Sequence, residues 1–161
     1  MTALFSPLET FSDDFTGYTT KLLFDEARSL SAYHHAVNYR LVAVIREIER
    51  RGEFGGQPIK TAEWLHNVCG VTRGSAREKV RTAKALDTLP LIDEAFRTGA
   101  LSYSKVRAVT RVANAENEKD LLEIARFADA HHVERIVKRY RQVERLERVK
   151  AVLSNRYLSY H

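Results

Sequence analysis

The stretch that decides the fold is residues 61–90, TAEWLHNVCGVTRGSAREKVRTAKALDTLP. Thr61 and Thr72 are residues of the type that caps helix N-termini, and each precedes a run with helical spacing. Gly70 supplies the backbone freedom that a tight turn between two helices needs. The stretch therefore predicts a short helix, a glycine turn and a second helix over about residues 73–88, which is the layout of a helix-turn-helix. The apolar residues expected to hold the two helices together are Leu65, Val68 and Val71.

The rest of the chain also has helical spacing, and no segment is predicted to be a strand. A long helix is predicted from about Thr20 to Arg51, ended by Gly52, and another from about His132 to Leu153. Shorter helices are predicted between them, so the fold class is all-α, a multi-helix domain with two long helices and a central helix-turn-helix. The long helices are expected to bury Leu23, Ala27, Leu30, Val37, Leu41, Val44 and Ile48 in the first and Val133, Ile136, Val137, Tyr140, Val143, Leu146 and Val149 in the last.

Length and composition suggest one folded domain. The chain has 161 residues, of which 44% are hydrophobic and 29% are charged, as in globular proteins. We expect residues 1–18 to be a flexible lead-in, residues 19–154 to be a single all-α domain and residues 155–161 to begin a following domain that is truncated here; a short natural C-terminus is the alternative. No secretory signal or long apolar run is found and there is one cysteine, so we expect a cytoplasmic protein without a membrane span or internal disulfide.

Positive charge is concentrated around the predicted helix-turn-helix. The whole chain has a net charge of +5, whereas residues 1–30 have a net charge of −3. Residues 60–113 contain ten basic and five acidic residues, a net charge of +5. At about 100° per residue, four cations of the second helix fall within roughly an 80° arc, beside a separate apolar arc. These four are Arg73, Arg77, Arg81 and Lys84. The pattern is typical of a helix that packs by one face and meets phosphate with the other, although a solvated charged face has the same pattern.

Residues 61–113 resemble the bacterial family known as domain of unknown function 222, and the resemblance extends over most of the chain from about residue 20. The matching features, in chain order, are Trp64-Leu65, Gly70-Val71-Thr72, the run from Ala76 to Leu86, Leu89-Pro90, the step from Gly99 to Ser102, and Val106-Arg107-Ala108. The same residues are similar to the DNA-binding core of ParB-type partition proteins, although the second helix here is about one turn longer.

The resemblance implies that the domain stands ahead of an HNH nuclease domain in a longer protein. This chain has no HNH signature, so the nuclease is expected in a C-terminal part outside it, and no catalytic set is found in the chain itself. We expect no cofactor. The adjacent histidines at 34–35 and 131–132 lack the spacing of a helical zinc site. Cys69 is expected to be a buried structural cysteine, and Trp64 and Phe96 are expected in the core.

Two functions are consistent with the sequence. The first is DNA binding, with duplex DNA as the partner and the second helix in the major groove. The second is a helical protein-interaction or dimerisation domain that positions the nuclease without touching DNA, and the long helices are the surfaces that could form a homodimer. No small-molecule substrate is indicated. The residues expected to contact DNA are Thr72, Arg73, Ser75, Arg77, Arg81 and Lys84 on the second helix and Lys105, Arg107 and Arg111 on a later one.

Overall fold

The computed structural model describes residues 14–54 and 56–158, and this part of the chain contains seven α-helices. The all-α class predicted from the sequence is confirmed. The helices are α1 (Thr20–Arg51), α2 (Thr61–Asn67), α3 (Arg73–Ala85), α4 (Pro90–Arg97), α5 (Tyr103–Val109), α6 (Glu118–Phe127) and α7 (Ala130–Leu158). A 3₁₀ turn, Leu86–Thr88, continues α3.

The structure describes only part of the lead-in and of the C-terminal segment that the sequence analysis singled out. Most of the expected lead-in, residues 1–13, lies outside the described residues, as do residues 159–161. Residues 155–158, where a following domain was expected to begin, belong to the last turn of α7.

A two-stranded hairpin, not anticipated from the sequence, follows α1. Strands β1 (Glu53–Phe54) and β2 (Gln57–Pro58) pair antiparallel. The strands are too short to show an alternating pattern, which explains why periodicity did not reveal them. Gly52 ends α1 as predicted: it has a φ of 72°, and its N–H donates to the Ile48 carbonyl at 3.1 Å.

The chain divides into two compact units, the first ending at His34 and the second beginning at His35. In the first unit, the N–H of Tyr18 donates to the carbonyl of Phe15 at 3.0 Å, and the two rings pack edge to face. The first half of α1 follows this turn. Leu23 and Leu30, predicted to be buried, are each 42% exposed, so the prediction was wrong at these positions.

The second unit contains every buried apolar residue of the described chain. Its core is built by α2 to α6, the end of α1 and the beginning of α7. In α1 the buried residues are Val42 and Ile45. They lie on the face next to the one that was predicted to be buried, and Val37 and Val44 on the predicted face are exposed. In α7 only the first turns are buried, and the later apolar residues are exposed. Large side chains that are fully buried in this core include Phe96, Ile45, Leu65, Leu86, Leu89 and Ile92.

Ion pairs attach the second half of α1 to the helices that follow it. Arg46 makes two hydrogen bonds to Asp93, at 2.5 and 3.2 Å, and lies 3.6 Å from Asp87. The hydrogen bond with Asp93 outweighs partial burial and raises the pKa of Arg46. Lys84 of α3 meets Glu49 of α1 at 2.5 Å. These contacts fix α1 against α3 and α4.

A buried carboxylate from α6 caps α4. Leu89 occupies the N-cap position of α4 and has no side chain that can accept a hydrogen bond there. Glu118, which is 4% exposed, accepts instead from the N–H of Ile92 at 2.9 Å. A negative charge at this end of a helix is favoured because the unpaired N–H groups give the end a partial positive charge. Glu118 thus joins α6 to α4 through a residue 26 positions earlier in the sequence.

We predict that Glu118→Ala lowers the free energy of unfolding by about 1–3 kcal/mol, because it leaves a buried N–H without an acceptor. Urea unfolding followed by circular dichroism measures the change. The control is Glu116→Ala, which removes an exposed carboxylate two residues earlier. Equal stability of the two variants would show that the contact with Ile92 contributes nothing.

Candidate nucleic-acid interface

The turn between α2 and α3 is held by hydrogen bonds at both ends. Gly70 has a φ of 67°, a conformation that side chains with a Cβ rarely adopt. The N–H of Val71 donates to the Leu65 carbonyl at 3.2 Å, and Nδ1–H of His66 donates to the Val71 carbonyl at 2.9 Å. Thr72 caps α3 as predicted, since its hydroxyl accepts from the N–H of Ser75 at 3.3 Å. The start of α3 is therefore fixed relative to α2.

Three predictions about α2 and the turn after it were wrong. Leu65 is 1% exposed and fills the contact with α3, as predicted, but Val68 is 65% exposed. Trp64, predicted to be core, is 47% exposed, and Cys69, predicted to be buried, is exposed. Because α2 ends at Asn67, Val68 and Cys69 lie in the turn beyond it, and Trp64 lies about 100° around the helix from the buried Leu65.

Two arginines lie open at the start of α3. The opposite face of this helix buries Ala76, Thr82 and Ala83, so Arg73 and Arg77 point away from the core and are exposed. In the described part of the chain, no carboxylate lies within 4 Å of either guanidinium. Both charges therefore remain unneutralised beside the positive end of the helix.

Arg81, which was predicted to share one arc of α3 with Arg73 and Arg77, has a different environment. Its guanidinium donates to the Arg107 carbonyl at 2.8 Å and to the Thr110 carbonyl at 3.0 Å. Both carbonyls belong to the end of α5, where helix carbonyls have no partner within the helix. Arg81 also lies 3.3 Å from Glu78, one turn earlier on α3. Contact with DNA would require this residue to give up its bonds to α5.

The remaining predicted cations differ in whether they have an acidic partner. Arg111 meets Glu78 at 2.7 Å, and Arg107 meets Glu134 at 2.5 Å. Lys105 is half-buried, and no described carboxylate lies within 4 Å of its amine. With Lys84 held by Glu49 (2.5 Å), the structure leaves three of the predicted cations unpaired: Arg73, Arg77 and Lys105.

Glu78 forms ion pairs with two of the arginines that were predicted to contact DNA, and the sequence analysis did not anticipate this role. Partial burial disfavours its charged form, but hydrogen bonds from Arg111 and Arg81 outweigh burial and lower the pKa of Glu78. Its three-residue spacing from Arg81 was the available signal. The pairing with Arg111, 33 residues away, leaves no trace in local spacing.

Lys79 interrupts the apolar face of α3 and rests on an aromatic ring. Its amine lies 4.4 Å from the centroid of the Tyr103 ring, which is the geometry of a cation–π contact. Burial lowers the pKa of Lys79. This lysine supports the packing of α3 on α5 and does not add to the exposed basic face.

Neither a metal-ligand cluster nor a membrane span is found in the described residues. No three side chains of the His, Cys, Asp or Glu type are grouped there as metal ligands would be. None of the helices in that part of the chain has the length and hydropathy of a membrane span.

Comparison with known proteins identifies the family. The model of the family described as Domain of unknown function (DUF222) matches residues 23–155, so the chain belongs to this family. The comparisons with curated proteins and with solved structures gave no match.

We predict that Arg81→Ala destabilises the domain by about 1–3 kcal/mol, because the carbonyls at the end of α5 lose a charged donor. Arg77→Ala, one turn earlier, should change stability by less than about 0.5 kcal/mol, as is usual for exposed side chains without a partner. Thermal unfolding of the two variants compares them directly. If both have the wild-type midpoint, the bonds of Arg81 are not a structural constraint.

Proposed function

We propose that this member of the DUF222 family binds duplex DNA, with α2 and α3 acting as a helix-turn-helix and α3 entering the major groove. The observation that carries the proposal is the pair Arg73 and Arg77, exposed and without an acidic partner in the described chain at the start of α3. The first turns of a recognition helix are where such units contact base edges. Arginine suits this position because its guanidinium can donate two hydrogen bonds to guanine.

The surroundings of α3 fit that role because they hold the helix firmly. Its cap, its buried face and the cation–π contact of Lys79 fix its position before any ligand arrives. A side chain on a fixed helix loses less conformational freedom on binding than one on a mobile loop. Thr72 still has a hydroxyl proton to donate, and Ser75 lies exposed beside it, so both can reach a phosphate.

In the proposal, the partly paired cations contact the DNA backbone. The side chains of Arg107 and Arg111 are each 35% exposed, and that of Lys84 is 62% exposed. Ion pairs at such exposure contribute roughly 0–1 kcal/mol, so a phosphate can replace the carboxylate partner at small cost. Lys105 has no such partner to lose. Arg81 is assigned a positioning role, because it holds α5 against the proposed recognition helix.

The same proposal covers the longer protein that the family resemblance implies. The domain would be the N-terminal module of a cytoplasmic, HNH-endonuclease-like protein. It would have no catalytic activity or cofactor of its own, and it would bring a C-terminal nuclease to duplex DNA.

We predict that Arg73→Ala/Arg77→Ala weakens binding to a mixed-sequence duplex and reduces its dependence on salt. Each arginine that binds the DNA contributes to the counterion release that drives association, and removing two such cations costs on the order of tenfold in affinity at low salt. Fluorescence anisotropy at several salt concentrations measures both quantities.

The matched control is Lys119→Ala/Arg126→Ala, which removes two exposed cations from one face of α6. Wild-type affinity in the α3 variant, or an equal decrease in the control, would contradict the assignment of α3. Failure of the wild-type chain to bind any duplex at low salt would contradict the proposed function itself.

A second candidate function is self-association through α1. Leu23, Leu30, Val37 and Val44 recur every seven residues, and they are 42%, 42%, 59% and 50% exposed. A seven-residue apolar repeat on a helix is typical of the seam of a coiled coil, which a second copy of the chain can cover. In α7 the exposed apolar residues recur every three residues, so they wind around the helix and form no comparable seam.

If α1 forms such a dimer, Leu30→Glu/Val37→Glu should give a monomer, because the seam cannot bury two added charges. Sedimentation equilibrium determines the mass. Ala32→Glu/Ala36→Glu adds the same charge on exposed positions away from the seam and should leave the dimer intact. A monomeric wild-type chain would exclude this candidate.

A further inference from the structure

A basic groove lies between α5 and α7, beside the residues of the proposed DNA-binding surface. Its volume is about 1410 Å³, and the side chains that line it include seven arginines or lysines and only two glutamates. Ala108 and Val137 form part of its floor. Such an excess of one charge in a concave surface strengthens the attraction for an anion.

Five of the seven cations that line the groove have no acidic partner in the described chain: Arg135, whose guanidinium lies 2.7 Å from Nδ1 of His132, and four that form a row along α7. Lys138, Arg141, Arg145 and Arg148 are exposed, and no carboxylate of the described residues comes within 4 Å of their charged groups. Steps of three, four and three residues place them on one face of α7. Ten residues of helix separate the first from the last, so the row is about 15 Å long.

The length of this row suits a nucleic-acid backbone. One strand of B-DNA carries a phosphate for each 3.4 Å or so of helix axis, so about 15 Å of axis presents about four phosphates. The row of four cations therefore spans a length over which one strand presents several phosphates. Arginine, which supplies three of the four, can bind a phosphate through two parallel hydrogen bonds.

The groove is continuous with the proposed recognition helix. Arg111 lines it and also binds Glu78 of α3 at 2.7 Å, while Arg107 lines it and binds Glu134 of α7. A duplex with its major groove on α3 can therefore extend its backbone along α7. Single-stranded nucleic acid fits less well, because the lining residues include no Phe, Tyr or Trp side chain on which bases could stack.

We propose that the α5–α7 groove is a second DNA-binding surface, which holds the phosphate backbone of one strand of a duplex adjacent to the part that α3 contacts. The inference rests on the proposed function and extends it, because the domain contacts the duplex through two adjacent surfaces. The α3 part carries the base contacts, and the α7 part adds affinity that is independent of sequence.

The test compares two charge-matched variants of α7 with wild type in a duplex titration at several salt concentrations. Arg141→Ala/Arg145→Ala removes two cations from the groove. Arg139→Ala/Lys150→Ala removes two exposed cations from another face of the same helix, roughly 100° or more from the centre of the row. Circular dichroism confirms that both variants keep their helix content.

The groove variant should lose on the order of tenfold in affinity at low salt, and the magnitude of its salt slope should fall by about 1.8, or 0.9 for each phosphate contact. The decrease should be the same for duplexes of different sequence. The control variant should keep the wild-type slope. Equal behaviour of the two variants would overturn the inference.

Parallel titration of Arg73→Ala/Arg77→Ala separates this inference from the proposed function. If that variant and the groove variant both weaken binding, both proposals stand. If only the α3 variant weakens it, the proposed function stands and the groove inference is overturned. If only the groove variant weakens it, the groove stands and the assignment of α3 is overturned, and a wild-type chain that binds no duplex overturns both.

Two further ligands test the choice of duplex DNA. If a single strand of the same sequence binds more tightly than the duplex through Arg141 and Arg145, the assignment to duplex is overturned. If the groove variant loses binding to polyglutamate but keeps the wild-type affinity for duplex, the groove binds acidic protein segments and the inference is overturned.

Discussion

The guanidinium of Arg81 makes the interaction on which the rest of the basic surface depends. The last carbonyls of α5 need donors from outside the helix, and Arg81 supplies them from α3. Because α5 in turn packs along α7, one side chain sets the position of α3 relative to both later helices. The bond between Glu78 and Arg111 strengthens the same connection. The exposed arginines of α3 and the cations of α7 are therefore held at fixed positions relative to one another.

Pairing within the molecule divides its cations into two groups with different roles. Those that join helices, such as Arg46 and Arg81, have carboxylate or carbonyl partners and contribute to the fold. Those at the start of α3 and along the outer turns of α7 have no acidic partner in the described chain. The net charge of +5 understates the local effect, because every ion pair of the described chain involves a cation outside this second group. A ligand meets a surface that is more basic than the composition of the chain suggests.

The sequence predicted the helices and their ends more reliably than the direction of individual side chains. The bounds of α1, the cap at Thr72 and the burial of Phe96 follow from spacing and capping chemistry, which are local properties. The buried face of α1 was wrongly predicted because apolar residues occupy two neighbouring faces, and spacing alone does not show which one meets the core. Arg81 shares an arc with Arg73 and Arg77, but its environment depends on α5, almost thirty residues later. Long-range contacts of this kind have no local signature, and the same is true of Glu118.

The exposed thiol of Cys69 gives the molecule a single chemical handle. It lies in the turn immediately before Gly70, and the chain has no other cysteine. A maleimide dye would therefore attach at one place, next to the first turn of α3, without any substitution to create the attachment point. Because the thiol is exposed, a label attached to it leaves the interior undisturbed. The brightness of such a dye would report directly on whatever approaches this end of α3.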